Sequence, residues 1–323
     1  MWDSHHCSET QAEVLCFQYI RLSCGTLVTV PLGYYGYLRI GIHTSSADAL
    51  SKAAERARDL GANCFQIFSS SPRMWRPSVH SKDAVASLRQ LRESHDLTPL
   101  AIHDCYLINL ASADPVIRQR SIDAFRGELE RTIAIGAEYL IMHPGSAKGQ
   151  TLESAIETLI RSLAAASKGL RNPPLTLLFE NTAGGGMAIG RTLEELKLIR
   201  DLAQPSVPYP IGYCLDTCHL YASGFDVSTR TGLNQTVARA DSVLGLDNIP
   251  VIHSNDSKGA LGSSIDRHAH IGKGRIGIEG FRRILNHPKL RTKAFILETP
   301  VDKEGDDLRN IRTLRSLCKR RTR

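Results

Sequence analysis

Residues 251–281 read VIHSNDSKGALGSSIDRHAHIGKGRIGIEGF, and their pattern decides the fold. A short apolar run, Val251–His253, predicts a strand; a Gly/Ser loop and a glycine-rich turn follow, and the spacing over 279–285 predicts a helix. The chemistry sits between the two elements. His253 ends the strand, and Asp266 and His268 stand two residues apart in the loop. Imidazole with carboxylate is the ligand set of zinc and similar borderline metals.

The same strand–loop–helix unit recurs outward in both directions. Strands are predicted over residues 38–43, 64–68, 100–103, 139–143, 175–180, 211–216, 251–253 and 294–298. Helices are predicted over 46–60, 84–95, 115–135, 152–166, 192–202, 235–244, 279–285 and 308–318. The 115–135 helix has a full set of end signals: Asp114 as N-cap, Pro115 in the first turn and Gly136 as the stop. Strands alternating with helices predict parallel βαβ units. Eight such units predict an α/β protein with a (β/α)8 TIM barrel as a single domain over residues 38–318; a doubly wound open sheet is the alternative.

Residues 1–37 read as an N-terminal extension with no assigned role, in which 27–37 suit a hairpin or an irregular arm. Early acids Asp3, Glu9 and Glu13, with no basic n-region, do not suit a secretory signal. Residues 319–323 read as a short basic tail.

Composition narrows the class. A hydrophobic content of 42% and a charged content of 23% are those of a globular protein. No apolar run approaches the roughly 18 residues of a membrane span. A net charge of +7 favours a polyanionic partner such as nucleic acid. The eight cysteines lack CxxC spacing and read as reduced thiols in a cytoplasmic setting. Cys214 and Cys218 flank Asp216, but the favoured reading is that they pack as small buried residues.

Position then turns a scatter of polar residues into a candidate site. His103, His143, Glu180, Asp216, His253 and Glu298 each end a predicted strand, and His219, Asp266 and His268 lie in the loops just beyond. In an α/β barrel the C-terminal strand ends surround one mouth, so residues spread over about 200 positions converge there. Five His, two Asp and two Glu exceed the roughly four ligands of one zinc ion and suit two or three metals with bridging carboxylates. Such clusters catalyse displacement at phosphorus. The imidazole content favours zinc, with manganese as a possible substitute, over magnesium.

The segments HDCYLINLAS (103–112), MHPGS (142–146), FENTAGGG (179–186), LDTCHLYASGFD (215–226), HSNDSKG (253–259), DRHAHIGKGRIG (266–277) and ILETP (296–300) resemble endonuclease IV, the zinc-dependent apurinic/apyrimidinic (AP) endonuclease family. The resemblance implies three zinc ions. His103, His143 and Glu180 hold the first; Glu180 bridges to a second held by Asp216, His253 and Glu298; His219, Asp266 and His268 hold the third. Glu180, Asp216 and Glu298 thereby position the attacking hydroxide.

The implied reaction is hydrolysis 5′ to an abasic site in double-stranded DNA, leaving a 3′-hydroxyl, with removal of 3′-blocking groups as well. The resemblance also implies that Arg73, Tyr106 and Leu107 fill the DNA stack. Basic and aromatic side chains share the 70–76 loop, which suits phosphate contact and wedging between bases. This loop has a serine run and Pro72 where the family's amide-bearing residues are expected.

Two other classes compete. A xylose isomerase-like sugar isomerase or epimerase shares the architecture but needs two metals at most, leaving His219, Asp266 and His268 unused. A non-catalytic DNA-binding barrel is expected where ligands are missing. A monomer is the default oligomeric state.

Overall fold

Strand periodicity organises the molecule. Every second residue of a strand shares a face, and on one face of the sheet Cys64, Ala101, Ile141, Leu178, Cys214, Val251, Ala294 and Ile296 form a single buried cluster. That face is the inside of a closed barrel. The structure, a computed structural model, describes residues 17–21, 27–31, 38–75 and 77–319.

The barrel strands are β3 (Arg39–His43), β4 (Cys64–Phe68), β5 (Leu100–His103), β6 (Tyr139–Met142), β7 (Thr176–Glu180), β8 (Ile211–Asp216), β9 (Val251–His253) and β12 (Ala294–Leu297). They pair in parallel in chain order, and β12 closes the ring against β3. β5, β8, β9 and β12 are buried at every position, as expected of strands packed on both faces. Gly41 sits where a Cβ would lie 2.1 Å from the Cys64 carbonyl oxygen, so a larger residue would push β3 from β4.

The outer ring consists of α1 (Leu50–Asp59), α2 (Lys82–Ser94), α3 (Pro115–Ile135), α4 (Leu152–Ser167), α5 (Leu193–Ala203), α7 (Arg230–Leu244), α8 (Gly277–Asn286) and α9 (Asp306–Ser316). The α3 end signals act as read: the Asp114 carboxylate accepts from the Val116 and Ile117 N–H groups, and Gly136 takes φ +77°. α1 starts later than its periodicity predicts. The Ser46 hydroxyl donates to the Phe68 carbonyl at 2.6 Å, and Ala49 takes the N-cap position in extended geometry.

Three short elements beside the candidate ligands escaped the periodic pattern. α6 (Thr217–Ala222) follows β8 directly, and β10 (Asp256–Ser257) pairs antiparallel with β11 (His268–Ala269). His219 and His268 therefore sit on α6 and β11, not in loops. His143 and Glu298 fall one residue past β6 and β12, because the parallel pairing ends before them.

The chain divides into two compact units, Met1–Leu38 and Arg39–Arg323. In the first, β1 (Phe17–Arg21) and β2 (Leu27–Pro31) form an antiparallel pair; residues 32–37 of the anticipated arm lie outside the described residues, as do 320–323 of the basic tail.

Candidate metal centre

The candidate ligands follow from the strand period. Ala101, Ile141, Leu178, Cys214, Val251 and Ile296 point into the barrel. The residues two places on are His103, His143, Glu180, Asp216, His253 and Glu298, so each takes the same face one layer higher. Apolar side chains form the floor, and titratable side chains lie on it.

Glu180 is fully buried at the centre. Its Oε2 lies 3.2 Å from His103 Nε2 and 3.3 Å from His143 Nε2, while its Oε1 lies 3.0 Å from His253 Nδ1. His253 Nδ1 is also 3.2 Å from Glu298 Oε2. Among the groups of donor atoms thus brought together are three of imidazole and carboxylate: His103, His143 and Glu180; Glu180, Asp216, His253 and Glu298; and His219, Asp266 and His268. Within each group all atoms lie within 4.8 Å of one another.

Neighbouring backbone and amide groups orient these side chains. His103 Nδ1 donates to the Asp104 carbonyl at 3.0 Å, leaving Nε2 for the cluster. Asn255 Nδ2 donates to Asp216 Oδ2 at 2.6 Å, and its Oδ1 accepts from the Glu298 N–H at 2.8 Å. The Asn181 side chain brackets the Asp216 backbone, accepting from its N–H at 2.7 Å. Asp216 caps α6, accepting from the His219 N–H at 2.7 Å. Such outer partners set ligand direction and tautomer. Cys214 and Cys218 are buried, and that burial pushes both thiols up to about 12, so they pack as neutral side chains.

The third group tests whether a cation fits. His219 Nδ1 lies 2.9 Å from the Asn181 carbonyl, and His268 Nδ1 lies 3.0 Å from the Glu298 carbonyl. A carbonyl only accepts, so both Nδ1 atoms carry hydrogen. Each Nε2 is buried without a hydrogen-bond partner. His219 Nε2 is 3.2 Å and His268 Nε2 3.6 Å from Asp266 Oδ1. Lone pairs aimed at a carboxylate need a cation or protons between them. The residues fit a metal.

Protons balance the charge when no metal does. Burial disfavours a charged ring at His103, yet Glu180 and Glu298 outweigh it and hold the imidazole up at about 9. Burial likewise opposes ionisation of Glu180, but His253, His143 and His103 hold it well below the usual carboxylate range. At Glu298 the same contest, led by His253, ends at about 2. His43 differs: burial pushes it down to about 4.

Above the cluster opens a cavity of about 780 Å3, bounded in part by His43, Phe68, Tyr106, His143, Asp266 and His268. Tyr106 is 68% exposed, and its ring centroid stands 5.2 Å from that of Phe68 and 6.3 Å from that of His103. Arg73 is exposed, and its charge reaches the Tyr106 phenol. Leu107 is half-buried and not part of the cavity wall.

Several positioning groups were not found from sequence. The loop carrying Arg73 is closed at its neck, where Ser70 Oγ accepts from the Ser78 N–H at 2.8 Å. It is tied to α3 by a buried group: Ser69 donates to the Glu128 carboxylate, and Arg131 donates to Ser69 Oγ and to Glu128, each at 2.7 Å. Asp256, also fully buried, accepts from the N–H groups of Gly272 at 2.9 Å, Gly274 at 3.0 Å and Ile276 at 2.9 Å, so the 270–277 turn wraps around one carboxylate. A Cβ at Gly274 would sit 2.4 Å from that carboxylate. Gln66, on β4, contacts two candidate ligands, Glu298 and His253, and also His43. Its only sequence signal was a polar residue at the inward position after Cys64.

Known proteins resemble this chain to different depths. A family model described as a xylose isomerase-like TIM barrel matches residues 54–319. A probable endonuclease 4 from Solibacter usitatus is 58% identical over 281 residues, covering 87% of this chain and 97% of that protein. The crystal structure of endonuclease IV from Thermus thermophilus superposes with a TM-score of 0.75 at 39% identity, covering 86% of this chain and 98% of the other. A D-tagatose 3-epimerase-like protein superposes with a TM-score of 0.63 at 16% identity over 86% of this chain and 96% of its own; at that identity the likeness concerns the fold alone.

Proposed function

The chain belongs to the endonuclease 4 family, and on that premise we propose that it is a DNA-repair enzyme that hydrolyses the phosphodiester 5′ to abasic sites in duplex DNA. It leaves a 3′-hydroxyl and also clears 3′-blocking groups. His103, His143 and Glu180 would hold one zinc ion, Glu180, Asp216, His253 and Glu298 a second, and His219, Asp266 and His268 a third, with manganese able to replace one. When bound, the ions supply Lewis acidity that lowers the pKa of water and neutralises phosphate oxygens.

The protein's own part is placement. Glu180, Asp216 and Glu298, held by His103, His253 and Asn255, fix the line along which water meets phosphorus. Arg73, Tyr106 and Leu107 contact the DNA; Tyr106, exposed beside Phe68, presents a face on which a base can stack. Lys258, Arg267, Lys273 and Arg275, all exposed between β9 and α8, offer charge to the backbone. The enzyme works as a monomer in the cytoplasm, a setting that suits the free thiols of Cys64, Cys105, Cys214, Cys218 and Cys318. Among the described residues no helix is long and apolar enough to cross a membrane.

The third group of donors carries this reading. Two buried ring nitrogens without partners face Asp266, and a sugar isomerase of the same fold has no use for them. The deciding experiment incubates the zinc-loaded protein with a defined abasic duplex, with and without a strong chelator, and identifies the product ends. Cleavage 5′ to the lesion that the chelator abolishes is expected; an intact duplex would sink the proposal. About three zinc ions per chain separates the nuclease from an isomerase, which would hold one or two.

A further inference from the structure

Gln66 stands in the ring of candidate ligands without being one. It occupies β4 two residues beyond the inward-facing Cys64 and pairs in register with His43 of β3. Its side chain is fully buried. Nε2 lies 2.5 Å from Glu298 Oε1 and 3.0 Å from His43 Nδ1, and Oε1 lies 2.8 Å from His253 Nε2.

These contacts admit one amide orientation. The Glu298 carboxylate can only accept, so the amide nitrogen must face it; a flipped amide would set oxygen against oxygen. Both amide hydrogens are then used, one toward Glu298 and one toward His43 Nδ1. Oε1 is left as the acceptor for His253, whose Nε2 must therefore carry hydrogen. When the ring is neutral its lone pair is then on Nδ1, the atom 3.0 Å from Glu180 Oε1 and 3.2 Å from Glu298 Oε2.

We propose that Gln66 is a positioning residue of the metal centre: it commits His253 to binding metal through Nδ1 and holds the Glu298 carboxylate alongside. It does so without adding charge to the cluster. The inference rests on the metal-centre reading above and concerns the second group of donors, Glu180, Asp216, His253 and Glu298.

The test uses the zinc-loaded full chain and needs no DNA. Gln66→Met keeps the length of the side chain and removes all three hydrogen bonds. Competition against a chromophoric chelator should show one ion bound about 10- to 100-fold more weakly, with the others unchanged. On abasic duplex, kcat should fall while KM stays near the parent value. Affinities unchanged for every ion in a folded variant, or a loss spread equally over all ions, would overturn the proposal. If Gln66→Met does not fold by circular dichroism, Gln66→Ala decides, since it removes the same three hydrogen bonds with a smaller, uncharged side chain; the same one-ion loss is expected, and unaltered affinity overturns the idea. The two readings fail separately: an inactive wild type would leave the affinity result standing, and unaltered affinity would leave cleavage untouched.

Discussion

The floor of the cavity and its rim are built on different principles. On the floor, Glu180, Asp216 and His253 are fully buried at strand ends, where parallel pairing and the two-residue period leave each side chain one direction. On the rim, Arg73 and Tyr106 are exposed on loops, and their placement depends on side-chain ties such as Ser69 to Glu128. A backbone lattice sets the floor, whereas a few hydrogen bonds set the rim. Damage to the floor should therefore appear in kcat and metal content, and damage to the rim in KM.

The largest effect is expected at Glu180, which is shared by two donor groups. Glu180→Ala should lower kcat/KM by about a thousandfold, about 4 kcal/mol, with loss of bound zinc measured by elemental analysis. Full metal content with unimpaired kcat would break the division between floor and rim.

A second expectation concerns protons. Carboxylates hold metal-free His103 up at about 9 against the effect of burial. Below that pH the ring carries a proton that must leave before Nε2 can bind a metal, so zinc affinity should fall as pH drops, by about tenfold per unit for each proton. Calorimetric titration at pH 7 in two buffers of different ionisation heat reads the release directly. Zero protons released would mean that the histidines are not ligands.

At the rim, Tyr106→Ala should raise KM for abasic duplex about tenfold, in line with ~1–3 kcal/mol for stacking one base, and leave zinc content intact. Steady-state kinetics with parallel metal analysis separates these outcomes. The smallest effect belongs to Glu128→Gln, which weakens the tie from α3 to the Arg73 loop. A KM increase of about fivefold, near 1 kcal/mol, with kcat preserved would sharpen the comparison. A fall in kcat instead would place that loop with the floor.

Much of the floor was legible because its signals are local. An apolar run ending in His or a carboxylate marks both a strand and the direction of its last side chain, and 211–216 and 251–253 match β8 and β9 to the residue. α6 was missed because six residues are too few for helical periodicity, and its cap, Asp216, also ends β8. β10 and β11 are two residues each and exist only through pairing across a loop. Gln66 and Glu128 gave little signal for another reason. Their partners lie far along the chain: Glu298 is 232 residues from Gln66, and Ser69 is 59 residues from Glu128.

The sequence by itself determined the eight alternating units and the level at which nine candidate ligands lie, because strand period and strand order are short-range properties summed around a ring. Tertiary structure alone decided the distances between the donor atoms, which ring nitrogen each histidine turns inward, and how the Arg73 loop is held. These depend on distances between side chains from different strands, and only closure of the barrel sets them.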